Sequence, residues 1–157
     1  MRIGVISDTH GLLRAEAEKA LQGVELIVHA GDVGKPEILE RLKAIAPVFA
    51  VRGNVDTEPW ARELPETAVV EVEGASLYVV HNLRQLGLSP EGGGFNMVIS
   101  GHTHQAEQWE RNGVLYLNPG SAGPRRFKLP VTLAVLEMKE EPWKVEIVEL
   151  LPGNPED

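Results

Sequence analysis

An α/β fold of two mixed β-sheets flanked by helices follows from two features of the chain. Up to residue 51, short branched apolar runs alternate with helical periodicity, and after Pro65 the pattern changes to closely spaced short strands joined by turns. The first pattern implies parallel strands with helical crossovers; the second implies a hairpin-rich sheet packed against the first. Residues 2–7 and 26–30 read as buried strands because each apolar run ends in polar residues or glycine. Between them, residues 12–21 place Leu13, Ala17, Ala20 and Leu21 at helical spacing. A second helix starts at Pro36, which suits a first turn, and turns Ile38, Leu39, Leu42 and Ile45 inward; residues 48–51 make the third strand. Downstream, residues 67–72 and 75–81 pair through Glu73-Gly74, and 96–100, 105–110 and 114–118 are further short strands. Residues 131–137 and 144–150 close the chain around a turn at 140–142. Segments 82–95 and 118–130 are long loops rich in glycine and proline, where function often resides, and 152–157 is expected to fray.

The length of 157 residues and the 43% hydrophobic content suit one domain with a real core, spanning 1–157. The absence of cysteine excludes disulfides, thiolate metal sites and cysteine nucleophiles. The first apolar run ends at Asp8, too short for a signal peptide or a membrane span, so a cytoplasmic protein with no membrane partner is expected. A formal charge of -8 disfavours nonspecific binding to nucleic acid, although bound divalent ions would reverse the charge locally. Trp60, Trp109 and Trp143 fit a core or an interface equally well, so a homo-oligomer stays open.

Five motifs each close a hydrophobic run: Asp8-Thr9-His10, Gly31-Asp32, Gly53-Asn54, His81, and Gly101-His102-Thr103-His104. Open α/β sheets bind ligands beyond the carboxyl ends of their strands, so independent segments point to one rim. Asp8, His10, Asp32, Asn54, His81, His102 and His104 offer only oxygen and imidazole nitrogen, which suits divalent manganese, iron, nickel, cobalt or zinc. Seven ligands exceed what one such ion takes. Asp32 has two oxygens and can place one on each of two ions, while Asn54 fills a position without adding charge. Gly31 and Gly53 remove bulk beside Asp32 and Asn54. Any one of these residues alone reads as a turn or cap; four of five histidines falling into such motifs argues for a metal site. The fifth, His29, lies inside an apolar strand and reads as a satisfied core or supporting residue, and Thr9 and Thr103 as supporting or local turn hydroxyls.

This ordered set resembles the calcineurin-like metallophosphoesterase superfamily, and the short chain looks most like its small bacterial and archaeal phosphodiesterase branch. The resemblance covers nearly the whole length. It implies a four-layer αββα sandwich of two mixed sheets and two divalent transition-metal ions. Asp8, His10, Asp32 and His104 would hold one ion and Asp32, Asn54, His81 and His102 the other, with Asp32 as the bridge and Asp32, Asn54 and His81 as the catalytic residues. A hydroxide shared by the ions would attack phosphorus in line with the leaving oxygen. The loop from Asn118 to Ser121 resembles a segment bordering the site in this branch; Asn118, Ser121 and Arg125 or Arg126 are candidate phosphate contacts, or else turn residues with solvated arginines.

Two departures matter. Many members carry a histidine after the Gly-Asn pair for leaving-group protonation, and this chain has Val55 followed by Asp56. Asn82 stands where the family often has glycine after the histidine of the fourth motif. The missing acid favours a small phosphodiester as substrate. The alternatives are a phosphomonoesterase, including one acting on phosphoproteins, and a non-catalytic protein-binding scaffold such as the fold provides in the eukaryotic retromer.

Overall fold

The computed structural model describes residues 1–152. It contains ten strands: β1 (Arg2–Ile6), β2 (Leu26–His29), β3 (Val48–Ala50), β4 (Thr67–Val72), β5 (Ala75–Val80), β6 (Met97–Ile99), β7 (Ala106–Arg111), β8 (Val114–Pro119), β9 (Val131–Glu137) and β10 (Lys144–Leu151). Two α-helices, α1 (Ala15–Ala20) and α2 (Pro36–Lys43), supply the first crossovers. The strands form two five-stranded sheets, ordered β10-β9-β1-β2-β3 and β4-β5-β6-β8-β7. Each is mixed. In the first, β1, β2 and β3 run parallel while β9 and β10 pair antiparallel; in the second, β5, β6 and β8 run parallel between antiparallel edges β4 and β7.

Strand alternation decides which side chains meet between the sheets. In β1, Ile3 and Val5 face the second sheet and pack with Leu77, Val79, Met97, Ile99 and Leu117, while Ile6 faces the helices with Leu21, Ile27 and Leu42. The helix side is filled by Ala17 and Leu21 from the α1 region and by Ile38, Leu39 and Leu42 of α2. On the outer face of the second sheet Tyr78, Val80, Val98 and Tyr116 meet Leu83, Leu86 and Phe95. The fourth layer of the sandwich is therefore a loop with a three-residue 3-10 turn, Leu83–Gln85, and no α-helix among the described residues.

Two boundaries differ from the sequence reading for reasons that bear on the site. The helix expected over 12–21 begins only at Ala15, because His10 (φ 46°) and Gly11 (φ 81°) are left-handed and the amide of Leu12 turns back onto the carbonyl of Thr9. Leu13 is nevertheless buried from this turn. A 3-10 segment, Pro59–Glu63, follows the third motif unannounced by periodicity. The expected fraying of 152–157 lies outside the described residues, save for Pro152. Among the described residues no helix is long and apolar enough to cross a membrane.

Candidate metal centre

The carboxyl ends of β1, β2, β3, β5 and β6 open onto one rim, and each is followed by one of the five motifs. Backbone hydrogen bonds fuse these ends: Asp8 N–H donates to Gly31 O (3.0 Å), His10 N–H to Asp32 O (2.9 Å) and Gly101 N–H to His81 O (2.9 Å). Asp8 (φ 57°), His10 (46°), Asp32 (56°), His102 (75°) and His104 (65°) all adopt the left-handed conformation that L-residues avoid. Such strain persists only where the surroundings over-determine it, and here it gathers on five of the seven candidate ligands.

The side chains converge. Asp8 Oδ1 stands 3.8 Å from His10 Nε2, 3.5 Å from His104 Nε2 and 3.9 Å from His81 Nε2. Asp32 Oδ2 lies 3.6 Å from His10 Nε2 and 3.2 Å from His81 Nε2. Two groups emerge that could each hold an ion, Asp8 with His10 and His104, and Asp8 with Asp32 and His81. Donors bound at about 2.1 Å to a common ion lie roughly 3.0–3.4 Å apart, so the cluster needs only slight contraction to take a cation. Asn54 and His102 are exposed and meet each other, Asn54 Oδ1 to His102 Nδ1 at 3.3 Å, with the His102 ring edge-on to His81.

Three buried polar side-chain atoms find no hydrogen-bond partner among the described residues: Asp8 Oδ1, His81 Nε2 and His104 Nδ1. All belong to this cluster. Buried polar atoms are normally paired, and Asp8 Oδ1 and His81 Nε2 face each other at 3.9 Å, which fits a cation between them, whereas His104 turns Nε2 and not Nδ1 toward the cluster. The electrostatics agree. Burial lifts the pKa of Asp8 against the opposing pull of His81, the Ser7 hydroxyl and His104. For Asp32 the cost of burial is outweighed by the close His81 and the Val55 amide, and its pKa falls. Burial would lower His81, but Asp32 and Asp8 hold its pKa above the ordinary value, so in the metal-free chain a proton tends to sit where a metal would. His104 is lowered by burial, with Arg126 and His10 adding to the effect.

The ligands are held by partners that fix their orientation. Ala30 O accepts from His81 Nδ1–H at 2.7 Å, which turns Nε2 toward the carboxylates. Ser7 Oγ (2.7 Å) and the His102 amide (3.1 Å) donate to Asp8 Oδ2, which leaves Oδ1 for the cluster. The Val55 amide donates to Asp32 Oδ1 at 3.0 Å, so Oδ2 alone faces both His10 and His81. The sequence reading allowed one Asp32 oxygen for each of two ions; here the oxygen that faces both histidines is Oδ2. A side chain at Gly53 would collide with Asp32 Oδ1, and one at Gly31 would come within 2.7 Å of His81 Nδ1.

His29 is satisfied, as the sequence reading had it. Thr9 Oγ1 donates to Val33 O (2.8 Å) and so accepts from His29 Nε2–H (3.0 Å), while the Gly31 amide donates to His29 Nδ1 (3.1 Å). Burial, aided by His81, pushes its pKa down to about 3. Thr103 Oγ1 has a comparable supporting place, accepting from Asn118 Nδ2 at 3.0 Å.

Of the candidate phosphate contacts, Asn118, Ser121 and Arg125 each make hydrogen bonds within the protein. Asn118 donates to Gly101 O (3.0 Å) and Thr103 Oγ1 (3.0 Å) and accepts from the Gly120 amide (2.9 Å), which pins the His102–His104 turn. Ser121 Oγ donates to Asp8 O (3.1 Å), and Arg125 Nη1 to Leu129 O (3.3 Å) and Pro152 O (2.6 Å). Sequence reasoning also missed Asp56. Its buried carboxylate accepts from the amides of Val33 (3.1 Å), Gly34 (2.9 Å) and Gly53 (2.9 Å), tying the loop of Asp32 to the loop of Asn54. The only signal was its place two residues beyond Asn54.

A family model described as the calcineurin-like phosphoesterase superfamily domain matches residues 1–141. A probable metallophosphoesterase of Methanothermobacter thermautotrophicus is 38% identical, over 94% of this chain and 92% of that protein. A phosphodiesterase of Methanocaldococcus jannaschii is 27% identical, over 95% of this chain and 100% of its own length. Among solved structures, an archaeal phosphodiesterase superposes with a TM-score of 0.78 at 24% identity, covering 94% of this chain and 100% of that one. The zinc complex of Vps29 from Entamoeba histolytica gives 0.75 at 21% identity, covering 96% and 99%. At these identities the structural likeness is one of fold. The family match and its relatives, together with the Asp and His groups, make the protein a metallophosphoesterase, and the chain belongs to the calcineurin-like phosphoesterase superfamily.

Proposed function

We propose that this protein is a dinuclear metal-dependent phosphodiesterase in which Asp8, His10, Asp32 and His104 hold one ion and Asp32, Asn54, His81 and His102 the other. The observation that carries the reading is the placement of Asp8 Oδ1 and Asp32 Oδ2 among the Nε2 atoms of His10, His81 and His104 at 3.2–3.9 Å. Divalent ions bound there would polarise a phosphoryl oxygen and lower the pKa of water toward neutrality. Asn54 and His102, exposed at the mouth, complete the second set and face arriving substrate. Retention of every candidate ligand favours chemistry over a non-catalytic protein-binding scaffold of the same fold.

The choice of diesters rests on what flanks Asn54. Val55 offers no proton, and both oxygens of Asp56 accept backbone amides. A leaving group must therefore depart without a side-chain acid from this loop. A cytoplasmic setting, with a small phosphodiester as partner, fits the same reading. Protein reconstituted with manganese or nickel is expected to hydrolyse bis-p-nitrophenyl phosphate faster than p-nitrophenyl phosphate. Equal or reversed rates would point to a phosphomonoesterase, and no turnover with any divalent ion would sink the enzymatic reading.

A further inference from the structure

A cavity of about 290 Å³ adjoins the metal cluster, and its walls include Asn54 and His81 together with Arg52, Glu66, Asn82 and Gln85. Because two walls are candidate ligands, a substituent on a phosphate docked at the cluster has a direct way in. The other four side chains belong to no step of the reaction described above.

Their chemistry narrows the occupant. Arg52 Nη2 donates to Glu66 Oε1 at 3.1 Å, which fixes the guanidinium and offsets its charge, leaving its remaining N–H groups available. Asn82 Oδ1 accepts from the Arg84 amide at 3.0 Å and, among the described residues, its NH₂ has no protein partner. Nor does the Gln85 side chain, which offers both a donor and an acceptor. Apart from the imidazole of His81, which turns Nε2 to the carboxylates of the cluster, the walls contain no aromatic ring for a base to stack on and no aliphatic side chain for an aryl group. A second anionic group would meet an arginine already paired with a carboxylate, on a chain of formal charge -8. An uncharged hydroxyl-bearing group, which both donates and accepts, matches this lining, and the volume admits a pentose with some water.

We propose that this cavity is a specificity subsite for a sugar-like, hydroxyl-bearing substituent of the phosphodiester, held by Gln85 and Arg52. The proposal rests on the diesterase reading of the metal centre. Its test compares the KM of manganese-loaded protein for thymidine 5′-p-nitrophenyl phosphate and for bis-p-nitrophenyl phosphate, which share a leaving group and differ in the retained arm. The wild type is expected to show the lower KM for the sugar ester. In Gln85→Leu and in Arg52→Met the ratio of the two KM values should shift against the sugar ester by about fivefold, the loss of one hydrogen bond, with kcat for that ester little changed. Gln85 is exposed, so its variant is expected to fold. An unchanged ratio in both variants, or an equal rise for both substrates, overturns the subsite while leaving the diesterase reading intact. Failure of metal-loaded wild type to cleave either diester overturns both.

Discussion

The two sides of the metal cluster are built on different terms. Asp8, Asp32, His81 and His104 are buried, and hydrogen bonds to the surrounding protein orient the side chains of Asp8, Asp32 and His81. Asn54 and His102 are exposed and touch chiefly one another. A buried carboxylate oxygen without a partner is costly, so a fold that keeps Asp8 Oδ1 in that state has been shaped around a cation. The exposed pair has no such cost.

The largest test of this contrast separates the two sides by metal content. Asp32→Ala should reduce bis-p-nitrophenyl phosphate turnover to background and remove both ions, because Asp32 Oδ2 faces His10 and His81 together. His102→Ala should also abolish turnover, yet elemental analysis should still find about one ion per chain where the wild type holds about two. Equal depletion in both variants would erase the distinction between the sides.

A smaller effect is expected at Asp56, which touches no substrate. Asp56→Asn replaces one acceptor oxygen with an amide that faces backbone N–H groups, so the loops of Asp32 and Asn54 lose their tie. Metal titration should show affinity falling about 10–100-fold, and thermal melts a loss of about 1–3 kcal/mol. Wild-type affinity in this variant would make the carboxylate irrelevant to the site.

The buried side also predicts a pH dependence. His29 has a folded-state pKa of about 3, below its unfolded value of 6.5, so the unfolded chain binds the proton and stability is lost as pH falls below 6.5. Urea melts of metal-free protein should show this group alone removing about 2 kcal/mol between pH 7 and pH 5. The pKa of His81 is shifted the other way, upward, so metal must displace a proton there and metal uptake should also weaken as pH falls. The smallest effect is at Arg125, whose guanidinium is engaged by the carbonyls of Leu129 and Pro152; Arg125→Met should change KM by less than about twofold. A large rise in KM would restore the phosphate contact read from the sequence.

Much of the frame was legible before the structure. The alternation of apolar runs announced β1 to β3 with α1 and α2, and the strand-end motifs named residues that do gather on one rim. What sequence could not carry was direction. Left-handed backbone at His10 shortens the expected first helix, and nothing in residue type reveals it. The Val55 amide claims one oxygen of Asp32, and internal carbonyls claim Asn118, Ser121 and Arg125, because polar groups beside a strained loop are drawn to the nearest backbone partners. Asp56 was passed over for the same reason in reverse, since a carboxylate that binds only amides has no motif.

Two ions that share Asp32 are the heart of the proposed mechanism. Anomalous diffraction from crystals grown with manganese tests it most directly. Two peaks are expected, one among Asp8, His10, Asp32 and His104 and one among Asp32, Asn54, His81 and His102, both in contact with Asp32 Oδ2. A single peak, or peaks that do not share Asp32, would contradict it.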